Sequence, residues 1–112
     1  MTLESDIQAV KEQTTMYEAR LEEFLIDGEV RRLGNYAFEF ANMYCKINKV
    51  KYGSLQWNAT QTLIRNEMVY STYKRVRRMA NGGDITGITI EIPERVTKSD
   101  VEKFCPRRKR LK

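Results

Sequence analysis

The stretch LESDIQAVKEQTTMYEARLEEFLI, residues 3–26, decides the fold class. In it Leu3, Ile7, Val10, Thr14, Tyr17, Leu21 and Phe24 recur at alternating spacings of four and three, a heptad seam sustained over three repeats. Such a period puts one apolar stripe on a helix and cannot serve a strand, whose side chains alternate every second residue. Ser5 with Gln8 forms a capping-box pattern at its start, and Thr2 is an equally good cap. Asp27-Gly28 is expected to end it, because Gly28 can take the left-handed conformation that closes many helices. At 1.5 Å per residue this helix would run roughly 36 Å, so part of its seam is expected to meet another chain. Thr14 and Tyr17 fit poorly in the seam of a free-standing parallel dimer, which favours packing inside a bundle for the rest.

Downstream the helical period continues. Val30, Leu33, Ala37, Phe40, Tyr44 and Ile47 repeat at three and four, and Tyr36, Phe38, Ala41, Met43 and Val50 widen the apolar face to most of the circumference. With so short a link, the first two helices are expected to be antiparallel neighbours, an αα-hairpin with an acidic and a basic outer face. Around Tyr52-Gly53-Ser54 two readings stand: a hairpin of alternating Val50, Tyr52, Leu55 and Trp57, or a helix stop at Gly53 with a new helix capped by Ser54 or Asn58. The helix stop is favoured. The third helix then runs to Ala80 with Leu63, Val69 or Tyr70, Tyr73, Val76 and Ala80 inward, and Asn81-Gly82-Gly83-Asp84 breaks it.

Residues 85–92 are rich in β-branched Ile and Thr and alternate apolar and polar from Ile88 onward, which predicts one C-terminal strand ended by Pro93. A lone strand must pair its backbone groups with residues 50–57, a second copy or another protein. Ser99-Asp100-Val101-Glu102 predicts a capping box for a short last helix, stopped at Cys105-Pro106. The expected fold is therefore mainly α: an antiparallel helical hairpin, a third long helix (3–26, 29–52 and 54–80), one C-terminal β-strand and a short helix from about 100. Phe40, Tyr44, Ile47, Leu63, Val69 and Val76 are its expected core. Residues 1–104 form a single helical domain in this reading, and 105–112 a basic, flexible tail.

Composition bounds the function. A chain of 112 residues with 41 % apolar content and eleven aromatics builds one modest core. It has no run of about 20 apolar residues and no charged-then-apolar leader pattern, so an intracellular protein without membrane contact is expected, cytoplasmic or, in a eukaryotic host, nuclear. Cys45 and Cys105 lie far apart with no metal-ligand spacing, and histidine is absent, so no metal, cofactor or small-molecule substrate is expected. Glu39 and Glu67 are the only acids in residues 30–80. Each is expected to pair on a solvated strip with a base such as Arg65 or Lys46 rather than to act as a catalytic acid. Gly82-Gly83 lacks the lysine and strand-to-helix setting of a phosphate loop. No enzyme is expected.

Charge is unevenly placed. Residues 1–29 hold eight acids and two bases, residues 30–80 ten bases and two acids, and the last eight residues five bases. The densest functional pattern is Tyr70, Tyr73, Lys74, Arg75, Arg77 and Arg78, in which helical spacing aligns Tyr70 with Lys74 and Arg78, and Tyr73 with Arg77. Joined to Arg107, Arg108, Lys109, Arg110 and Lys112, these residues suit a phosphate backbone with stackable bases, so nucleic acid, DNA or RNA, is the expected partner. The structural alternative is that the cations stabilise the C-terminal end of a helix dipole and the tyrosines are core. The competing functional class is a protein-binding adaptor, inhibitor or subunit. It would use the acidic heptad helix and the unpaired strand through Ile7, Val10, Tyr17, Leu21, Ile88 and Ile90, which would also serve a homo-oligomer.

Overall fold

The computed structural model describes residues 3–81 and 87–104. Its elements are α1 (Leu3–Glu22), α2 (Glu29–Ile47), α3 (Leu55–Ala80) and α4 (Lys98–Lys103). The protein is mainly helical, as the 3.6-residue period requires. Ser5 lies inside α1 and is not its cap. The helix ends four residues earlier than the seam suggests, because the amides of Glu23 and Phe24 reach back to Arg20 and Leu21 in a tightened last turn. Gly28 is left-handed as expected, at φ +92°, but it opens α2 rather than closing α1.

The heptad seam is covered within the chain. Ile7, Thr14 and Leu21 are buried, and Leu3, Val10 and Tyr17 half-buried. The covering element is α3, and it also accounts for the two irregular seam positions. Thr14 Oγ1 donates to the Val10 carbonyl at 2.9 Å and accepts from Asn66 Nδ2 at 2.9 Å, which satisfies a buried hydroxyl and ties α1 to one register of α3. Tyr17 lies 5.0 Å from both Tyr70 and Tyr73. The pairs 14 with 66, 17 with 70 and 20 with 73 advance together, so α1 and α3 run parallel.

This changes the expected pairing of helices. α3 packs extensively on both α1 and α2, whereas α1 and α2 barely touch, so the close antiparallel hairpin is α2–α3 and not α1–α2. The acidic helix also meets its base on α3: Arg65 Nη2 lies 2.9 Å from Glu18 Oε2. Arg65 is thus not the partner of Glu39 or Glu67. Glu39 is exposed, whereas Glu67 is half-buried and not on a solvated strip.

Of the expected core, Phe40, Tyr44, Leu63, Val69 and Val76 are buried, but Ile47 is 37 % exposed. It is the last residue of α2, and the chain turns away there before another element can cover it. The 50–57 segment is a helix junction, not a hairpin. Asn48 caps α2, Lys49 takes φ +56°, and the amides of Lys49 and Val50 bond the carbonyls of Lys46 and Cys45, a Schellman closure with lysine in the position that favours glycine. Ser54 then caps α3, its Oγ accepting from the Trp57 amide at 3.1 Å.

Among the described residues no strand forms. Residues 85 and 86 of the expected strand lie outside them, and 87–92 make a single parallel bridge, Ile88 with Leu25 in the α1–α2 link. Several of its backbone groups nevertheless find partners. The Ile88 amide bonds the Phe24 carbonyl at 2.9 Å, and the Ile88 carbonyl accepts from the Ile26 amide at 3.2 Å. Further along, buried Glu29 accepts the Ile90 amide on Oε2 at 3.3 Å, and Arg32 Nη2 donates to the Ile92 carbonyl at 3.4 Å. Arg32 also holds Glu29 Oε1 at 2.7 Å, so this ion pair offers an acceptor and a donor where a neighbouring strand would. Ile88 and Ile90 are buried against Leu21, Leu33, Val69 and Val76. The short last helix is capped two residues earlier than predicted, by a box of Thr97 with Asp100, and its Val101 joins Phe40, Tyr44 and Ile64 in a second cluster.

Candidate nucleic-acid interface

The last three turns of α3 carry the densest cations, and the helix period distributes them as the spacing predicts. Lys74, Arg75, Arg77 and Arg78 are all exposed. Among the described residues none of them has a carboxylate within ion-pair distance, the two ion pairs being Arg32–Glu29 and Arg65–Glu18. Lys74 Nζ sits 4.7 Å from the Tyr70 ring centre, the i,i+4 line expected of a helix. Arg77 Nη1 lies 3.4 Å from the Tyr73 hydroxyl on the adjacent line.

The tyrosines occupy a different place from the one their sequence neighbours suggest. Tyr73 is 7 % exposed and belongs to the core, so its ring has no free face for a base. Tyr70 is half-buried between α3 and Tyr17, with the Lys74 ammonium on its ring. Base stacking at Tyr73 is thereby corrected to core packing: α1 lies parallel to α3 and fills the space above both rings. What this end presents is cationic heads over a tyrosine floor.

A cation invisible to local pattern joins it. Arg20, from the last turn of acidic α1, donates to the Tyr73 hydroxyl at 3.3 Å. That hydrogen bond, together with Arg77, favours the phenolate and holds the Tyr73 hydroxyl below its usual value despite burial; the Arg20 guanidinium is correspondingly raised. Arg20 stands three residues after Tyr17 in the seam, and its role depends on the parallel packing of α1 on α3. Glu23 is near enough to Arg20 to favour its charge as well, so the surface is not purely basic.

Arg107, Arg108, Lys109, Arg110 and Lys112, with Cys105, lie outside the described residues. The residues expected at a partner interface are mostly engaged internally: Ile7, Leu21, Ile88 and Ile90 are buried in this one chain, and Val10 and Tyr17 are half-buried. Cys45 is a buried free thiol whose burial raises its pKa, which leaves it protonated and unreactive. Among the described residues no group of three or more acidic or cysteine side chains could hold a metal ion, and no helix is long and apolar enough to cross a membrane. A groove between α1 and α2, lined by Thr15, Glu18, Phe38 and Arg65, has its central cation already tied to Glu18. Neither a protein-family model, nor a curated protein, nor a solved structure matches this chain.

Proposed function

We propose that this protein is a non-enzymatic nucleic-acid-binding factor that grips the phosphate backbone with little sequence preference, in a regulatory or packaging role. The observation that carries the proposal is the set of four exposed cations without a carboxylate partner, Lys74, Arg75, Arg77 and Arg78, in the last turns of the long helix. Solubility does not require so dense a cluster, and a phosphate backbone supplies the missing counter-charge. Helix-dipole stabilisation accounts for one or two such cations in the last turn rather than for four across two turns. The tail bases Arg107, Arg108, Lys109, Arg110 and Lys112 would extend the same contact. No base-reading helix motif accompanies them, which favours sequence-independent contact.

The adaptor alternative has lost two supports, since the seam and the β-like segment both find partners inside the chain. The same holds for self-association, which drew on those two features.

Titration with single-stranded and duplex oligonucleotides across a salt series tests the proposal. If six of these groups meet phosphates, log affinity should fall against log salt with a slope of roughly −4 on single strands and −5 on duplex. Arg77→Ala with Arg78→Ala should weaken all sequences alike and flatten the slope by up to about two units. A folded sample that binds neither nucleic acid at low salt sinks the proposal.

A further inference from the structure

The α2–α3 turn exposes what the other end of α3 hides. Tyr52 is 76 % exposed, and its ring stands 4.6 Å from Trp57, at 52° to it. Ile47 and Leu55 are also exposed beside it. Lys46, Lys49 and Lys51, all exposed, lie in the same short stretch of chain. From residue 40 through residue 66 the sequence contains no acid. The parallel course of α1 brings Glu4 and Asp6 to this end of the bundle, but among the described residues neither pairs with the three lysines. Lys49 also sits at φ +56°, where glycine would close α2 with less strain, so this turn carries its positive charge at a conformational cost.

We propose that residues 46–57 form a second nucleic-acid contact, which stacks an unpaired base on the Tyr52–Trp57 pair while Lys46, Lys49 and Lys51 meet the flanking phosphates. This rests on the nucleic-acid reading of the chain and adds single-strand preference to it. Cations fit any polyanion, but an open ring among them fits one that carries planar groups. A duplex keeps its bases stacked inside and has none to offer a ring at its surface, except at an end. Tyr52 lies about 35 Å along α3 from Arg78, so a strand long enough to touch both ends gains affinity from their linkage.

Trp57 is the only tryptophan, so its fluorescence reports this turn alone. The full chain is titrated with a short oligothymidylate, with inorganic polyphosphate as a base-free polyanion, and with phosphatidylserine vesicles. Oligothymidylate is expected to quench Trp57 and polyphosphate to leave it nearly unchanged. Tyr52→Ala, at a site too exposed to endanger folding, should weaken single-strand binding by about 5- to 100-fold and spare duplex. Replacing the three lysines with glutamine should flatten the single-strand salt slope by up to about two units. Oligothymidylate that binds by mobility shift without altering Trp57 overturns this contact and leaves the Lys74–Arg78 contact standing. Quenching by polyphosphate equal to that by oligothymidylate also overturns it, as does a blue shift with vesicles and no response to oligothymidylate. Loss of all binding removes both proposals together.

Discussion

The two ends of α3 are made from the same ingredients and differ in what covers them. Near its start, Tyr52 and Trp57 share a short stretch of chain with Lys46, Lys49 and Lys51; near its end, Tyr70 and Tyr73 share one with Lys74, Arg75, Arg77 and Arg78. At the end of the helix, α1 lays Tyr17 across both tyrosines and Arg20 against the Tyr73 hydroxyl, so Tyr73 is buried and Tyr70 half-buried while the four cations stay exposed. Near the start Tyr52 meets Trp57 of its own turn and stays largely open to solvent. A tyrosine beside a lysine is therefore core or binding surface according to the tertiary neighbour, and the one-dimensional pattern is the same in both cases.

Alanine at the two ends gives the largest contrast. Tyr73→Ala should cost about 3–5 kcal/mol, as for other large buried aromatics, whereas Tyr52→Ala should fall within about 0.5 kcal/mol of the parent; urea unfolding measures both. Equal costs would erase the distinction between floor and surface. Next in size is Glu29→Ala, which strips the Ile90 amide of its acceptor in a buried site and frees Arg32 from its ion pair. A loss of about 1–3 kcal/mol is expected, with faster hydrogen exchange at Ile90 as the local sign. Lys49→Gly should act in the opposite sense, stabilising the chain by up to about 1 kcal/mol through relief of the left-handed lysine while weakening single-strand binding.

The smallest effect is in alkali. Because Arg20 and Arg77 hold the Tyr73 hydroxyl below the ordinary tyrosine value, Tyr73 should ionise ahead of its normal range, an early step in ultraviolet titration that Tyr73→Phe abolishes and Arg20→Gln delays. The folded chain then binds fewer protons at this group than the unfolded chain, so the group adds stability as pH rises through its folded-state value and adds none below it. Cys45 and Tyr36, raised by burial, oppose it in the same range, and for that reason the comparison with Tyr73→Phe isolates the sign.

Much of the fold was legible because it is governed by local period. The spacings of Leu3 through Phe24 and of Val30 through Ile47 specify helices whatever they pack against, and Ser54 marks the start of α3 by its own hydrogen bond. What local period does not carry is who packs on whom. A short α1–α2 link suggested a tight pair, yet the apolar face of α3 serves both helices, and Thr14, awkward in a seam, has its partner at Asn66. Residues 87–92 have the alternation of a strand, and their hydrogen bonds go to a loop and to the Glu29–Arg32 side chains, which no strand pattern encodes. The candidate site divides in the same way. The cations of α3 are legible as a run, Arg20 is hidden in an acidic helix, and the pattern around Gly53 suits a hairpin or a helix stop alike, so it does not mark the ring at Tyr52 as open.

Amide chemical-shift mapping with an oligothymidylate long enough to reach along α3 tests the two-ended account most directly. The account predicts shifts concentrated at residues 46–57 and at 74–78, with the buried stretch at Ile64, Asn66 and Val69 unmoved. Shifts confined to the Phe38–Arg65 groove, or binding that leaves 74–78 untouched, would contradict it.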